Sequence, residues 1–178
     1  MTETAALRIL HIVAAEEGPG AVNQALAVME GLAKMGHTQE LMAAPEEAIA
    51  AAAAGHGIAV TPLVLPDIKQ LSRGFDLVHA HDSRAHSIAA ATARVPVIVS
   101  RHLATPITRG PAVRWKFRRA AHFIAGSPEI ESLLLGAGVA PERVTVICDG
   151  ADAAQRAEAT LGVYRKVLEP PQPEISSS

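Results

Sequence analysis

The chain has 178 residues, of which 49% are hydrophobic, 19% charged and 3% aromatic, and its formal net charge at pH 7 is −2. This length and apolar content are typical of one domain with an aliphatic core, and the near-neutral charge argues against a nucleic-acid partner. No stretch approaches the roughly 18 apolar residues that a membrane-spanning helix needs. The single cysteine, Cys148, has no partner for an internal disulfide, so we expect a protein of the reducing cytoplasm.

From residue 7 onward, short apolar runs alternate with amphipathic stretches. Strands are predicted at 7–14, 38–44, 57–65, 75–80, 96–100, 122–126 and 143–148. Helices are predicted between them at 20–36, 46–54, 82–93, 111–120 and 128–136. Such alternation favours parallel strands joined by right-handed crossovers. We therefore predict an α/β fold, a doubly wound parallel sheet of about seven strands in the order 3-2-1-4-5-6-7 with helices on both faces.

A last helix is predicted at 153–168, directly after the sequence CDGAD. Its apolar stripe consists of Ala157, Leu161, Tyr164 and Leu168. We expect this stripe to pack back on the domain formed by residues 1–152. The remaining residues, 169–178, are rich in proline and serine and predict a disordered tail.

Histidines are concentrated in the sequence DLVHAHDSRAH, residues 76–86. Alternate residues of an extended strand share a face, so His79 and His81 are expected to point the same way, while His86 rides on the next helix and turns away. Three imidazoles near one strand end are able in principle to bind Zn²⁺, but zinc sites in proteins often include cysteine or carboxylate ligands. We therefore expect no bound metal and a pocket lined by strand-end histidines. His11, inside a predicted strand, suggests no special role.

The first predicted strand is followed by the loop AAEEGPGAV, residues 14–22, which carries Gly18 and Gly20 just before a helix. Exposed backbone N–H groups at a helix start bind anions, so this loop is a candidate phosphate-binding turn. The third glycine of a GxGxxG motif is replaced by Asn23, which weakens that interpretation. A glycine turn needed only for tight packing of strand and helix is the alternative.

Four segments, taken together, resemble a known family. They are GPGAVNQALAVMEGLAKMGH (18–37), FDLVHAHDSRAH (75–86), PVIVSRH (96–102) and IAGSPEIESLLLGAGVAPERVTVICDGAD (124–152). Their order and register are similar to the N-terminal Rossmann-like domain of family 4 (GT4-type) glycosyltransferases, which have the two-domain GT-B architecture. The resemblance covers about residues 7–152.

The resemblance implies transfer of a sugar from a nucleotide-sugar donor to an acceptor, with the acceptor held mainly by the N-terminal domain and the donor by the C-terminal one. After Asp152 the sequence continues directly into the helix at 153–168, which is similar to the last helix of complete members. The implied protein is an acceptor-binding domain that lacks the donor half, binds no cofactor and is inactive alone. Its implied partners are a carbohydrate or lipid-linked acceptor and either a separate donor domain or a second copy of the chain. The alternatives are a non-catalytic binding or homodimerising module and a stand-alone nucleotide-binding domain.

The resemblance also implies a set of site residues. Those expected to bind substrate are Gly18, Gly20, His81, Ser100, Arg101 and His102. His102 matches a histidine at the reaction centre of many members and is the candidate catalytic residue, because imidazole titrates near neutrality and handles protons at either nitrogen. The alternative is that Arg101 and His102 only belong to a flexible loop.

The segment RGPAVRWKFRRAA, residues 109–121, combines basic residues with Trp115 and Phe117. A basic amphipathic helix suits a phosphate-rich membrane surface, and the resemblance associates this region with anionic or lipid-linked acceptors. Peripheral membrane contact through 109–121 is one interpretation. The other is a solvated helix with two apolar anchors.

Overall fold

The computed structural model describes residues 5–14, 19–44 and 47–169. The strands in this part of the chain are β1 (Arg8–Val13), β2 (Thr38–Ala43), β3 (Val60–Pro62), β4 (Leu77–Ala80), β5 (Val97–Arg101), β6 (Ala120–Ala125) and β7 (Val144–Val146). They pair in parallel in the order β3-β2-β1-β4-β5-β6-β7, which confirms the predicted order. The order changes direction between β1 and β4, the place where folds of this class bind their ligands.

Helices cover both faces of the sheet, as predicted. Within the described residues they are α1 (Pro19–Lys34), α2 (Glu47–Gly55), α3 (Leu65–Leu71), α4 (Ser83–Thr92), α5 (Pro111–Arg119), α6 (Pro128–Gly136) and α7 (Ala153–Leu168). Leu10 and Ile12 of β1 face α3, α4, α5 and α6, whereas Ile9 and Val13 face α1, α2 and α7. Since successive strand residues point to opposite faces and helices cover both, the central strands are buried on both sides.

The structure differs from the sequence prediction at residues 57–65. Only Val60–Pro62 of this apolar run pairs with β2, and Leu65 already begins α3, a helix that was not predicted. Pro66 lies in the first turn of α3. Backbone N–H groups in the first turn have no acceptor within the helix, so proline, which lacks an N–H, is tolerated there, and its fixed φ suits a helix. Pro66 followed by Asp67 was therefore the overlooked signal of a helix start.

α7 packs across α1 and closes one face of the sheet. At the crossing, a side chain on Gly31 would overlap the Ala157 methyl group, so glycine permits the close approach of the two helices. Further along α7, Leu161 and Tyr164 are buried over the central strands. The Asp152 carboxylate caps the helix by accepting from the backbone N–H groups of the next turn, so α7 begins directly after the hinge, residues 148–152. Apart from Glu169, the predicted tail lies outside the described residues.

Candidate functional site

The residues after β4 are held by the side chain of Asp82. Its carboxylate accepts from the backbone N–H of Ala14 at 2.6 Å and from that of Ala85 at 2.6 Å. The second bond is the N-cap of α4, and the first ties the end of β1 to the same point. His81, immediately before Asp82, is thereby fixed at the carboxyl edge of the sheet.

Three histidines form a buried imidazole cluster, consisting of His11, His79 and His81, on the α7 side of the sheet. β1 and β4 pair with His11 opposite His79, and His81 lies two residues further on the same face. His11 Nδ1 is 2.9 Å from His81 Nε2, and the rings of His79 and His81 lie 4.0 Å apart. The His79 ring is held by the Tyr164 hydroxyl at Nδ1 (2.6 Å) and by the Ser100 hydroxyl at Nε2 (2.8 Å).

Burial keeps the imidazole cluster neutral. It lowers the pKa of His11 to about 3 and the pKa values of His79 and His81 well below their usual 6.5. The pKa of Tyr164 is raised well above its usual 10 by the same loss of solvent. A neutral imidazole has one donor and one acceptor nitrogen, so one of the two hydroxyls beside His79 donates to the ring and the other accepts from it.

Among the described residues, the buried imidazole cluster is the group whose nitrogen atoms are spaced closely enough to hold a metal ion. One ligand nitrogen from each of the three rings lies within 4.8 Å of the others. The set contains His11, to which the sequence assigned no role, and not His86, whose Nε2 lies 3.0 Å from the Lys116 carbonyl. A metal ion would have to displace the existing bonds among the rings and hydroxyls, and no carboxylate belongs to the set to balance its charge. That no metal binds stays a prediction.

A second histidine site lies at the rim of the sheet. His102 Nδ1 is 2.8 Å from the Asp149 carboxylate, and the side chains of this rim pair are 13% and 32% exposed. The Asp149 carboxylate lies over Gly126, where any side chain would collide with it. Gln24 of α1 donates to the Asp149 carbonyl at 3.3 Å, so the hinge is fastened to two elements of the domain.

A cavity of about 20 Å³ lies between the buried imidazole cluster and the rim pair. Its polar lining is contributed by Gln24, His79, His81, Ser100, His102, Asp149, Arg156 and Thr160. His81 and His102, two of the residues expected to bind substrate, both line this cavity. Of the other expected site residues, Gly20 lies in the first turn of α1, and Gly18 is outside the described residues. The Arg101 guanidinium instead donates to Thr105 in the loop after β5.

Arg156 of α7 lines the cavity and was not foreseen. It is 8% exposed, and across the described ranges its Nε has no hydrogen-bond partner and its guanidinium has no carboxylate at ion-pair distance. Thr160, one turn further, lies beside it in the cavity wall. The sequence signal for it was its position: Arg156 directly precedes Ala157 of the apolar stripe, and Thr160 follows four residues later on the same side of the helix.

Only part of the basic segment 109–121 is exposed to solvent, because some of its side chains bond to α4. Lys116 donates to Ser83 and Ser87, and Arg119 donates to the carbonyl groups at the end of α4. Phe117 is buried and Trp115 is 50% exposed. α5 is therefore anchored through one aromatic residue and presents the other to solvent.

Comparison with known proteins identifies the class of this fold. The model of glycosyltransferase family 4 matches residues 19–155. Among curated proteins no match is found. Among the described helices, none has the length and apolar character needed to cross a bilayer.

Solved structures with a similar fold include several sugar-nucleotide enzymes. HepE of Anabaena, in complex with UDP and glucose, has 18% identity and a TM-score of 0.70 over 82% of this chain and 45% of its own. A glycosyltransferase of Rickettsia africae has 14% identity and a TM-score of 0.66 over 94% of this chain and 51% of its own. UDP-GlcNAc 2-epimerase of Neisseria meningitidis, bound to UDP-GlcNAc, has 15% identity and a TM-score of 0.57 over 90% and 51%. The chain thus spans about half the length of the structures it resembles.

Proposed function

The chain belongs to glycosyltransferase family 4, and on that premise we propose that it binds the acceptor in sugar transfer from a nucleotide-sugar donor. The observation that carries this proposal is the group of polar side chains at the carboxyl ends of β4 and β5, where His81 and the rim pair of His102 and Asp149 line a small cavity. Polar side chains at several strand ends, held in place by a rigid sheet, form the hydrogen bonds that orient the hydroxyl groups of a carbohydrate.

His102 is proposed as the group that handles the acceptor proton. A carboxylate only accepts hydrogen bonds, so Asp149 fixes the tautomer in which His102 Nδ1 carries the proton. The lone pair of Nε2, a buried atom without a hydrogen-bond partner in the described part of the chain, is then available to an acceptor hydroxyl. During transfer the acceptor oxygen bonds to the anomeric carbon, the bond from that carbon to the donor diphosphate breaks, and Nε2 takes the hydroxyl proton.

We also propose that the chain does not complete this transfer alone. α7 begins at Ala153, directly after the hinge, where two-domain members would hold their donor half. The departing diphosphate needs several fixed cations or N–H donors, and Arg156 is the one cationic side chain among the described residues that line the cavity. A complete enzyme would include a donor-binding domain as a partner.

Calorimetry with a turnover assay tests this proposal. Mono- and oligosaccharide acceptors and a panel of nucleotide sugars are titrated into the purified chain, and we expect saturable binding of an acceptor, weak or no binding of donors, and no transfer. His102→Ala should weaken acceptor binding, whereas the control His56→Ala, which removes a similar histidine–carboxylate pair with Glu30 on another surface, should not. Transfer by the chain alone, lost in His102→Ala, would overturn the proposed inactivity.

A non-catalytic homodimerising module is the second candidate for this chain. It is supported if no carbohydrate binds and sedimentation equilibrium gives a stable dimer, because a carboxyl edge covered by a second copy would leave no route for an acceptor. A monomer that binds carbohydrate excludes it.

Delivery of a lipid-linked acceptor through α5 is a further part of the proposal. Arg114, Trp115 and Arg118 are exposed on one helix, a combination that binds the interface of an anionic membrane. Flotation with phosphatidylcholine vesicles, with and without phosphatidylserine, should show binding that requires the anionic lipid. Trp115→Ala should reduce that binding, whereas Met35→Ala, at an apolar residue after α1 that is 41% exposed, should not.

A further inference from the structure

Arg156 is a buried cation without a counter-ion in contact. It is 8% exposed, and a guanidinium remains charged at every pH at which the protein is folded. Removing such a charge from water costs several kcal/mol unless a partner compensates it. The described residues supply no carboxylate at ion-pair distance and no hydrogen-bond partner for the buried Nε, so an anionic ligand in the cavity would complete the site.

The carboxylate that lines the same cavity does not serve as this partner. Asp149 directs Oδ1 to His102 Nδ1 at 2.8 Å, and Oδ2 lies against the backbone at Gly126. The imidazoles of His79 and His81, which also line the cavity, are neutral and bring no negative charge. The cavity wall therefore offers one positive group and several hydrogen-bonding groups to whatever enters.

We propose that Arg156 anchors an oxyanion site in this cavity, and that the ligand bound there carries a carboxylate or phosphate group. The planar guanidinium fork matches two oxygens of either group, and Thr160 lies one turn away in the same wall. The 20 Å³ cavity holds about one water molecule, so one or two anionic oxygens occupy it while the rest of the ligand lies at the rim formed by His102 and Asp149. This deepens the proposed function, on which it rests for the view that the ligand is an acceptor: the acceptor is anionic.

NMR titration of the full chain with inorganic phosphate and, separately, with acetate tests the site. Both are added at constant pH and ionic strength. Saturable shifts of the Arg156 side chain and the Thr160 and Gln24 amides are expected with at least one of them, and the tighter of the two identifies phosphate or carboxylate as the preferred group. Wild-type protein without any saturable shift overturns the proposal.

Substitutions separate the site from general surface charge. Arg156→Gln should lower the affinity for the anion by roughly 10- to 100-fold, because charge-assisted hydrogen bonds are lost. Arg156→Lys should retain part of the affinity, and Arg73→Gln, which removes an exposed arginine elsewhere, should retain all of it. Equal affinity in wild type and Arg156→Gln contradicts the proposal. If Arg156→Gln does not fold, the Lys variant and thermal protection of the wild type by each anion decide the question.

The same titrations distinguish failure of this site from failure of the proposed function. Glucose, glucose 6-phosphate and glucuronate are compared, and the two charged sugars should bind at least about tenfold more tightly than glucose. Binding of glucose with no preference for the charged sugars would contradict the oxyanion site and leave acceptor binding standing. Binding of the simple anions without any sugar would support the site and contradict the acceptor role.

Discussion

The buried imidazole cluster and the rim pair use the same side chain in two environments. His11, His79 and His81 are buried, hydrogen-bonded to one another or to hydroxyl groups, and neutral because burial lowers their pKa values. His102 is bonded to a carboxylate at the edge of the cavity, where the Asp149 side chain is 32% exposed. Burial of the whole rings assigns the first set to the fold, while the bond to a carboxylate at the edge of the cavity suits His102 for chemistry.

The largest effect is expected from removing the helix that encloses the cluster. Deletion of residues 153–178 exposes the surface under Leu161, Val163 and Tyr164, each worth about 1.5–3 kcal/mol of burial, which together approach the whole stability of a typical domain. We expect loss of the cooperative thermal transition in circular dichroism. The control, deletion of 170–178 alone, should melt like the full chain. An unchanged transition after the longer deletion would contradict the packing of α7.

Acidification should destabilise the protein through its buried histidines, in the cluster and elsewhere. A histidine whose pKa is lowered by folding binds its proton more weakly in the native state, so its stability contribution is complete above pH 6.5 and is lost as the pH falls toward the native pKa. The native pKa is about 3 for His11 and about 4 for His86 and His122. Each of these histidines should therefore lower the free energy of unfolding by about 2 kcal/mol at pH 5 relative to pH 8. Urea unfolding at the two pH values measures the difference. Equal free energies of unfolding would mean that these rings are solvated.

Tyr164→Phe breaks the cluster at one atom. The Tyr164 hydroxyl is 2.6 Å from His79 Nδ1, and its removal leaves a buried ring nitrogen without a partner. The free energy of unfolding should fall by about 1–3 kcal/mol in urea denaturation. In a double-mutant cycle, the losses of stability caused by substituting Tyr164 and His79 should not be additive. Full additivity would show that the hydrogen bond between them contributes nothing to stability.

Asp149→Asn sharpens the contrast from the other side. The amide is close in shape to the carboxylate and lies at a partly exposed position, so the free energy of unfolding should change by less than about 0.5 kcal/mol. Acceptor affinity should nevertheless fall, because an amide can also donate and no longer fixes the His102 tautomer. Calorimetry and urea unfolding of this variant are compared with those of Tyr164→Phe. Equal losses of stability in the two variants would remove the distinction between cluster and rim.

No effect is expected from metal removal. Elemental analysis of protein purified without an affinity tag should find no stoichiometric zinc, and chelator should not change the melting temperature. Stoichiometric zinc that disappears in His11→Ala or His81→Ala would turn the cluster from a neutral hydrogen-bonded network into a metal site.

The order of the strands followed from local patterns, whereas the composition of the site did not. Alternating apolar runs and amphipathic stretches are properties of neighbouring residues, and they sufficed for the sheet. α3 was missed because its first residue continues an apolar run that is typical of a strand. Short apolar runs do not distinguish the two by periodicity.

The site depends on contacts between distant segments. His11 joins the cluster through the register of β1 with β4, about 70 residues later in the chain, as the separation of His11 and His81 shows. Asp149 meets His102 across 47 residues. Neither contact has a local sequence period, so each requires the three-dimensional pairing of strands and hinge. His81 and His102 were predictable together because they end consecutive strands of a parallel sheet.

Histidine ring ¹⁵N spectra, recorded while a carbohydrate acceptor is titrated into the chain, test the central claim most directly. They report the tautomer and charge of every ring in one experiment. We predict that free His102 carries its proton on Nδ1, that its Nε2 resonance moves saturably as the acceptor binds, and that the His11 resonances stay those of a neutral, unperturbed ring. Movement of His11 with no change at His102, or no change in any ring by an acceptor that binds in calorimetry, would contradict the assignment of the rim pair to acceptor binding.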